Sequence, residues 1–329
     1  MKKLLYVVDR IGIHENRFCG AMTEEFDVEI LALNESVGID IDFDRISRST
    51  DLIVAGPLSD PISRIPIESQ TPILGICYAS EINEVKNIQE IQRNISRCAA
   101  IVTDSDYTRN RLRKNFKYDN PIYETKYGCD WADFARYQPT FQENPSIIVL
   151  RNWRDLYCNE VILAALEVMH ENGIPFNCTF VGAGPELASG KSLARKYGIQ
   201  DKVTFLGKIE NHDLPELMSQ HWMYISAAKS DGTSISLLEA LSMGMICLTT
   251  NFPTNNFIEE QVIGINFETG SKFDLVEKIL YLNSLSSREK SRMSSNARSY
   301  GKKEARWSEN SKVLIRAIHQ TIKYQGLNC

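Results

Sequence analysis

No C-x-x-C pair, no H-x-x-x-H or mixed Cys/His ligand spacing, and no apolar run long enough to cross a bilayer occurs in the 329 residues. The eight cysteines are scattered, most of them inside apolar runs where a thiol acts as a small hydrophobe, which excludes a disulfide framework and fits a reducing compartment. The five histidines lack metal-ligand spacing, so no zinc site and no other metal or cofactor is expected. Lys2 and Lys3 precede only the short apolar run at 4–8 before Asp9 and Arg10 interrupt it; neither signal peptide nor membrane span is expected, and the expected location is the cytoplasm. A net charge of −5 excludes a whole-protein electrostatic footprint for nucleic acid. Asp40-Ile-Asp42 has a D-x-D form but lies in an early charged stretch and reads as solvated surface.

What is present is an ordinary folding composition, 43% apolar and 24% charged, in a chain long enough for two domains rather than one core. Short β-branched apolar runs at 4–8, 28–33, 52–55, 72–77, 99–103 and 122–125 are separated by polar or helix-like stretches, the rhythm of a parallel α/β sheet. The rhythm restarts at 147–150, 178–181, 203–206, 223–226, 246–249 and 264–267. Between the two sets lies a polar stretch with two prolines, 137–146, which reads as a linker and puts the boundary at residue 144: one domain over 1–144, a second over 145–329. From Lys272 onward the pattern is helical. The last helix, about 305–325, carries Trp307, Val313, Leu314, Ala317 and Ile318 on one face and is expected to pack back on the N-terminal domain. Open α/β sheets bind ligands beyond the carboxyl ends of their strands, so the site is expected in a cleft between the domains.

One segment carries the chemistry. After the strand at 223–226 comes KSDGTSISLLEALSMG at 229–244, a polar loop running into an apolar helix. Unpaired N–H groups and the positive dipole end at a helix start suit a diphosphate, and Thr233, Ser234 and Ile235 stand where such amides would be. Glu239 lies within two turns of them, in reach of ribose hydroxyls, and Asp231 opens the loop. A plainer alternative makes Asp231 and Ser236 helix caps and Glu239 a complement to the dipole.

The stretch DGTSISLLEALSMGMIC at 231–247 resembles the acidic-x7-Glu signature of the retaining family 4 glycosyltransferases, usually close to EGFGLPLLEAMAxGxPV. Further resemblances follow in the family's order. FVGAGPE at 180–186, with Gly182 and Gly184, looks like its G-x-G-P strand end, and VTFLGKI at 203–209 looks like the turn that borders the nucleotide base, here Lys208 and Ile209. IVLRNWRDLY at 148–157 stands where the family has G-R-x-x-x-x-K-G; Arg151, or Arg154, would neutralise the leaving diphosphate, and Tyr157 falls where the usual lysine would be. IVTDSDYTRNRL at 101–112 and YGCDWADF at 127–134 resemble two N-terminal family segments. CYASE at 77–81 aligns with H-G-S-D, so Tyr78 replaces a histidine beside the acceptor, and an uncharged hydrogen-bonding role for Tyr78, or participation by Glu81, is expected.

The resemblance implies a GT-B fold: two Rossmann-like, doubly wound α/β domains facing across a cleft, with C-terminal helices. It implies transfer of a sugar, with retention, from a nucleoside-diphosphate sugar to a glycan, lipid-linked or protein hydroxyl in polysaccharide or glycolipid assembly, without a metal. Asp231 and Arg151 would be the catalytic pair; Arg154, Gly182, Gly184, Lys208, Ile209, Thr233, Ser234, Ile235 and Glu239 would bind donor. The rival reading is a non-catalytic subunit of the same fold that partners an active transferase. A basic run, Arg109, Arg111, Arg113, Lys114 and Lys117, reads first as a solvated helix face, with contact to a charged acceptor or to anionic lipid at the inner face of a membrane as the alternative.

Overall fold

The computed structural model describes residues 1–34, 49–84 and 87–325, with residues 324 and 325 described by their backbone alone; Asp40 and Asp42 lie outside the described residues. The chain divides into two compact units, one of residues 1–127 with 308–329 and one of residues 128–307.

In the first unit six parallel strands run in the order β2-β1-β3-β4-β5-β6: β1 Lys3–Val8, β2 Asp27–Ala32, β3 Leu52–Gly56, β4 Ile73–Cys77, β5 Ala100–Thr103 and β6 Ile122–Glu124. Central strands covered on both faces must be apolar throughout, and β3 and β4 are buried at every residue. The edge strand β2 alternates instead, its Asp27 and Glu29 exposed. The helix Trp307–Gln325 buries Leu314, Ala317, Ile318 and Thr321, and its Gln320 accepts from the Tyr123 hydroxyl at 2.7 Å.

The second unit's sheet has the order β12-β11-β10-β7-β8-β9: β7 Ser146–Leu150, β8 Asn177–Val181, β9 Val203–Gly207, β10 Met223–Ser226, β11 Ile246–Thr250 and β12 Gly264–Phe267. Read from β9, this is the doubly wound dinucleotide-binding order, with its topological switch point between β7 and β10. The period of two divides each strand between opposite faces: Ile147 and Val149 enter one core cluster, with Trp153, Phe180 and Trp222, while Ile148 enters the other, with Tyr224, Leu237 and Leu241.

The boundary expected at residue 144 falls at 127/128 instead. Aromatic residues scattered through a polar stretch are the reason. Trp131 and Phe134 pack into the second unit's core, Cys129 N–H donates to Ala305 O at 2.7 Å, and Arg298 donates to Ala135 O and Tyr137 O. Residues 137–145 then return along that unit, with Phe141 against Trp222 and Asn144 O accepting from the Trp222 indole at 3.2 Å.

Candidate functional site

The ends of four neighbouring strands, β9, β8, β7 and β10, bring the expected donor residues together. Arg151 follows β7 and Ser226 ends β10, so the two flank the switch point. Arg151 Nε donates to Ser226 Oγ at 3.0 Å, Nη2 donates to Asp231 Oδ2 at 2.5 Å, and Cζ lies 5.1 Å from the centre of the Tyr157 ring. The Arg151 side chain is 10% exposed and that of Asp231 25%. Burial on its own would lower the Arg151 pKa, but the Asp231 carboxylate, with Tyr224 and Tyr157, raises it above its ordinary value, so the guanidinium stays charged.

Backbone ties lace the loops around this pair. Gly182 N–H donates to Gly207 O at 2.7 Å, joining the loop after β8 to the end of β9, and Trp153 N–H donates to Ala183 O at 3.0 Å, joining the loops after β7 and β8. Glycine is required here by close approach: at φ +154, a Cβ on Gly184 would stand 2.2 Å from Trp153 O, and one on Gly182 2.4 Å from Arg151 O. The loop after β10 is tied to the loop after β7 by Lys229 N–H to Leu156 O at 2.9 Å and by the Lys229–Asp155 ion pair.

That loop enters the helix Ile235–Met243, whose N-cap is Ser234, its Oγ accepting from Leu237 N–H. Asp231 and Ser236 are therefore not the caps: Asp231 is drawn to Arg151, and Ser236 Oγ lies 2.9 Å from the Tyr224 hydroxyl. Thr233 precedes the cap and Ile235 is the first helical residue. Glu239, one turn further, is 3% exposed, and a carboxylate so deeply placed beside a helix start marks a functional candidate. Ile209 packs into the core cluster that holds Tyr224 and Leu237. Lys208 is exposed and paired with Glu210 at 3.6 Å, and Arg154 is exposed, its backbone serving the turn at 155–157.

In the first unit Tyr78 and Glu81 follow β4. The Tyr78 hydroxyl donates to Glu15 Oε1 at 2.9 Å, and Glu81 Oε1 accepts from the amides of Tyr78, at 2.9 Å, and Leu58, at 3.2 Å. Burial first, then Tyr6 and Glu15, hold the Tyr78 pKa well above its ordinary value, so it stays protonated. Burial also raises Glu81, against the backbone N–H groups that favour its charge. Glu81 thus braces the turn at Ala79, whose φ is +70. Glu15, not singled out from the sequence, also accepts from Gly12 N–H at the start of the helix Ile13–Thr23; a glutamate three residues after the residue that precedes the helix was the available signal. His14, Phe18 and Tyr127 surround Tyr78 at ring distances of 5.2, 6.2 and 5.8 Å.

Three of the five basic residues are engaged within the first unit: Arg109 pairs with Glu124, Arg113 donates to Tyr118 O, and Arg111 lies over the Tyr107 ring. Lys114 and Lys117 are exposed. Among the described residues no helix is long and apolar enough to cross a membrane, and no group of three His, Cys, Asp or Glu is placed to hold a metal ion.

Residues 139–300 match the family described as glycosyl transferases group 1. Over 206 residues the chain is 24% identical to N-acetyl-alpha-D-glucosaminyl L-malate synthase of Bacillus anthracis, a match covering 61% of this chain and 47% of that protein, so it spans about half of that relative's length. Two solved structures share the fold along nearly the whole chain. Sucrose-phosphate synthase from Thermosynechococcus elongatus superposes with a TM-score of 0.79 at 11% identity, covering 98% of this chain and 100% of that one. HepE from Anabaena, solved in complex with UDP and glucose, superposes with a TM-score of 0.77 at 13% identity, covering 97% and 100%.

Proposed function

We infer, from the match of residues 139–300 to the group 1 glycosyl transferases in a chain with the GT-B fold, that this protein is a glycosyltransferase using a nucleoside-diphosphate sugar. The observation that carries the reading is the Arg151–Asp231 pair at the switch point, beside the start of the helix that bears buried Glu239. As the glycosidic bond breaks, negative charge grows on the diphosphate. The Arg151 guanidinium and the first amides of the helix Ile235–Met243 would stabilise it without reorganising, and Glu239 would hold the ribose. Asp231 would stand by the sugar, where positive charge develops. Retention follows from the likeness of the acidic-x7-Glu segment to a retaining family, and a phosphate oxygen of the leaving group would take the acceptor proton.

The acceptor is a glycan, lipid-linked or protein hydroxyl in polysaccharide or glycolipid assembly, reached in the cytoplasm; any contact with anionic lipid would use Lys114 and Lys117. Thermal shift with UDP-, GDP-, ADP- and dTDP-sugars tests the reading, since a ligand at a hundred times its Kd adds about 2.7 kcal/mol. No response to any of the four would sink it. NMR of fresh product tests retention, and an inverted anomer refutes that part. Donor binding without transfer to any component of a cognate extract would favour the non-catalytic partner subunit.

A further inference from the structure

We propose that Tyr157 is a positioning residue for Arg151, fixing the tilt of its guanidinium so that one fork faces the diphosphate; this rests on the glycosyltransferase reading above. Nε and one Nη2 N–H are taken by Ser226 and Asp231, both along a single edge of the planar group. Two bonds on one edge form a hinge about which the plane can still swing. Cζ stands over the Tyr157 ring, 5.1 Å from its centre, so the ring limits that swing. What remains is the fork made by Nη1 and the second Nη2 N–H, the geometry that binds two phosphate oxygens at once.

The ring's own place does not depend on Arg151. It ends the turn Asp155–Tyr157, where Tyr157 N–H donates to Arg154 O at 2.9 Å, Leu156 O accepts from Lys229 N–H at 2.9 Å, and the Asp155 carboxylate pairs with Lys229. Cys158, at φ +46, then turns the chain into the helix Asn159–Glu171. A second nearby cation, Lys229, pairs with Asp155, whereas Arg151 is the cation that stands over the ring.

The test is calorimetry with UDP, GDP, ADP and dTDP on wild type, Tyr157→Phe, Tyr157→Leu, Arg151→Gln and the Arg151→Gln/Tyr157→Leu double variant, at nucleotide up to millimolar. Tyr157→Phe keeps the ring and should bind within about twofold of wild type; Tyr157→Leu should bind roughly three- to thirty-fold more weakly, the range of a partly desolvated cation–π contact. On the Arg151→Gln background the leucine should add less than about twofold, as expected when one residue acts through the other. Melting curves check folding, and Tyr157→Met replaces the leucine variant if that one unfolds. Phenylalanine as weak as leucine, or a full leucine effect without Arg151, overturns the proposal. Wild-type binding unchanged by Tyr157→Leu overturns it alone, whereas failure of wild type to bind any of the four nucleotides overturns the glycosyltransferase reading and this proposal with it.

Discussion

Replacing Asp231 by asparagine should tighten nucleoside diphosphate binding while lowering turnover, two effects of opposite sign from one lost charge. With side chains 10% and 25% exposed, Arg151 and Asp231 are screened less than a surface pair. Charge centres ~4 Å apart attract by about 4 kcal/mol at an effective permittivity near 20, so Asp231 holds a large share of the field that a phosphate would otherwise receive. The carboxylate also repels the ligand directly. At ~7 Å and a permittivity near 40, which allows for Asp231's partial exposure, each unit of phosphate charge is opposed by about 1 kcal/mol. Against this stands the loss of a restraint on Arg151, but an asparagine Oδ1 still accepts from Nη2 and keeps the edge in place.

Repulsion therefore wins, and Asp231→Asn should bind nucleoside diphosphate roughly 5- to 30-fold more tightly, the equivalent of about 1–2 kcal/mol. The catalytic step responds the other way. A carboxylate beside the developing positive charge acts in the transition state, and its removal should lower kcat on the order of a hundredfold, as for other preorganised electrostatic groups. Calorimetry with the free nucleotide and steady-state kinetics with the donor separate the two. Equal or weaker nucleotide binding by the variant would refute the reasoning, because Asp231 would then be serving Arg151 more than competing for it.

Glu239→Ala should weaken nucleotide binding by about 1.5–3 kcal/mol, the worth of hydrogen bonds to a charged group, and calorimetry showing wild-type affinity would remove it from the ribose. Gly184→Ala should lower stability by roughly 2–4 kcal/mol, combining strain at φ +154 with a Cβ placed 2.2 Å from Trp153 O; an unchanged urea midpoint would contradict that geometry. Lys290, buried and lying 4.6 Å over the Trp222 ring, has its pKa lowered by burial, so between that value and the ordinary 10.5 the unfolded chain binds more protons than the folded one. Stability of wild type relative to Lys290→Met should therefore rise with pH through that window, and a flat difference in urea titrations would count against it. Chelation should leave turnover nearly unchanged, since Arg151 and helix amides are assigned the diphosphate charge; loss in EDTA restored by Mn²⁺ would show that assignment to be incomplete.

How much of this was legible in the sequence depended on whether the signal was local. Strands buried on both faces must be apolar at consecutive positions, so β3, β4, β7 and β11 stand out as unbroken runs, and their observed bounds differ from the expected ones by a residue or so. The segment assigned to the donor was also local: a strand, a glycine-bearing loop and an apolar helix within some twenty residues. Its cap was not resolved, because Asp231, Ser234 and Ser236 are all competent caps and the choice is made by Arg151, which draws Asp231 away.

The misplaced boundary and the missed Glu15 share a cause of another kind. Trp131, Phe134 and Phe141 sit too far apart in a polar stretch to form a periodic signal, yet three large rings, two of them packed in one core cluster and one against Trp222, are enough to bind the stretch to the second unit. Glu15 and Tyr78 meet across 63 residues of chain, and Arg151 and Asp231 across 80. A linear reading can nominate each partner by its chemistry, but the pairing comes from strand order: only the adjacency of β7 and β10 at the switch point puts the guanidinium against the carboxylate. That pairing changes what the residues do. Read singly, Arg151 is a cation for phosphate and Asp231 a carboxylate for sugar; read as neighbours, each sets the charge the other presents, which is why a change at Asp231 must appear in nucleotide affinity as well as in turnover.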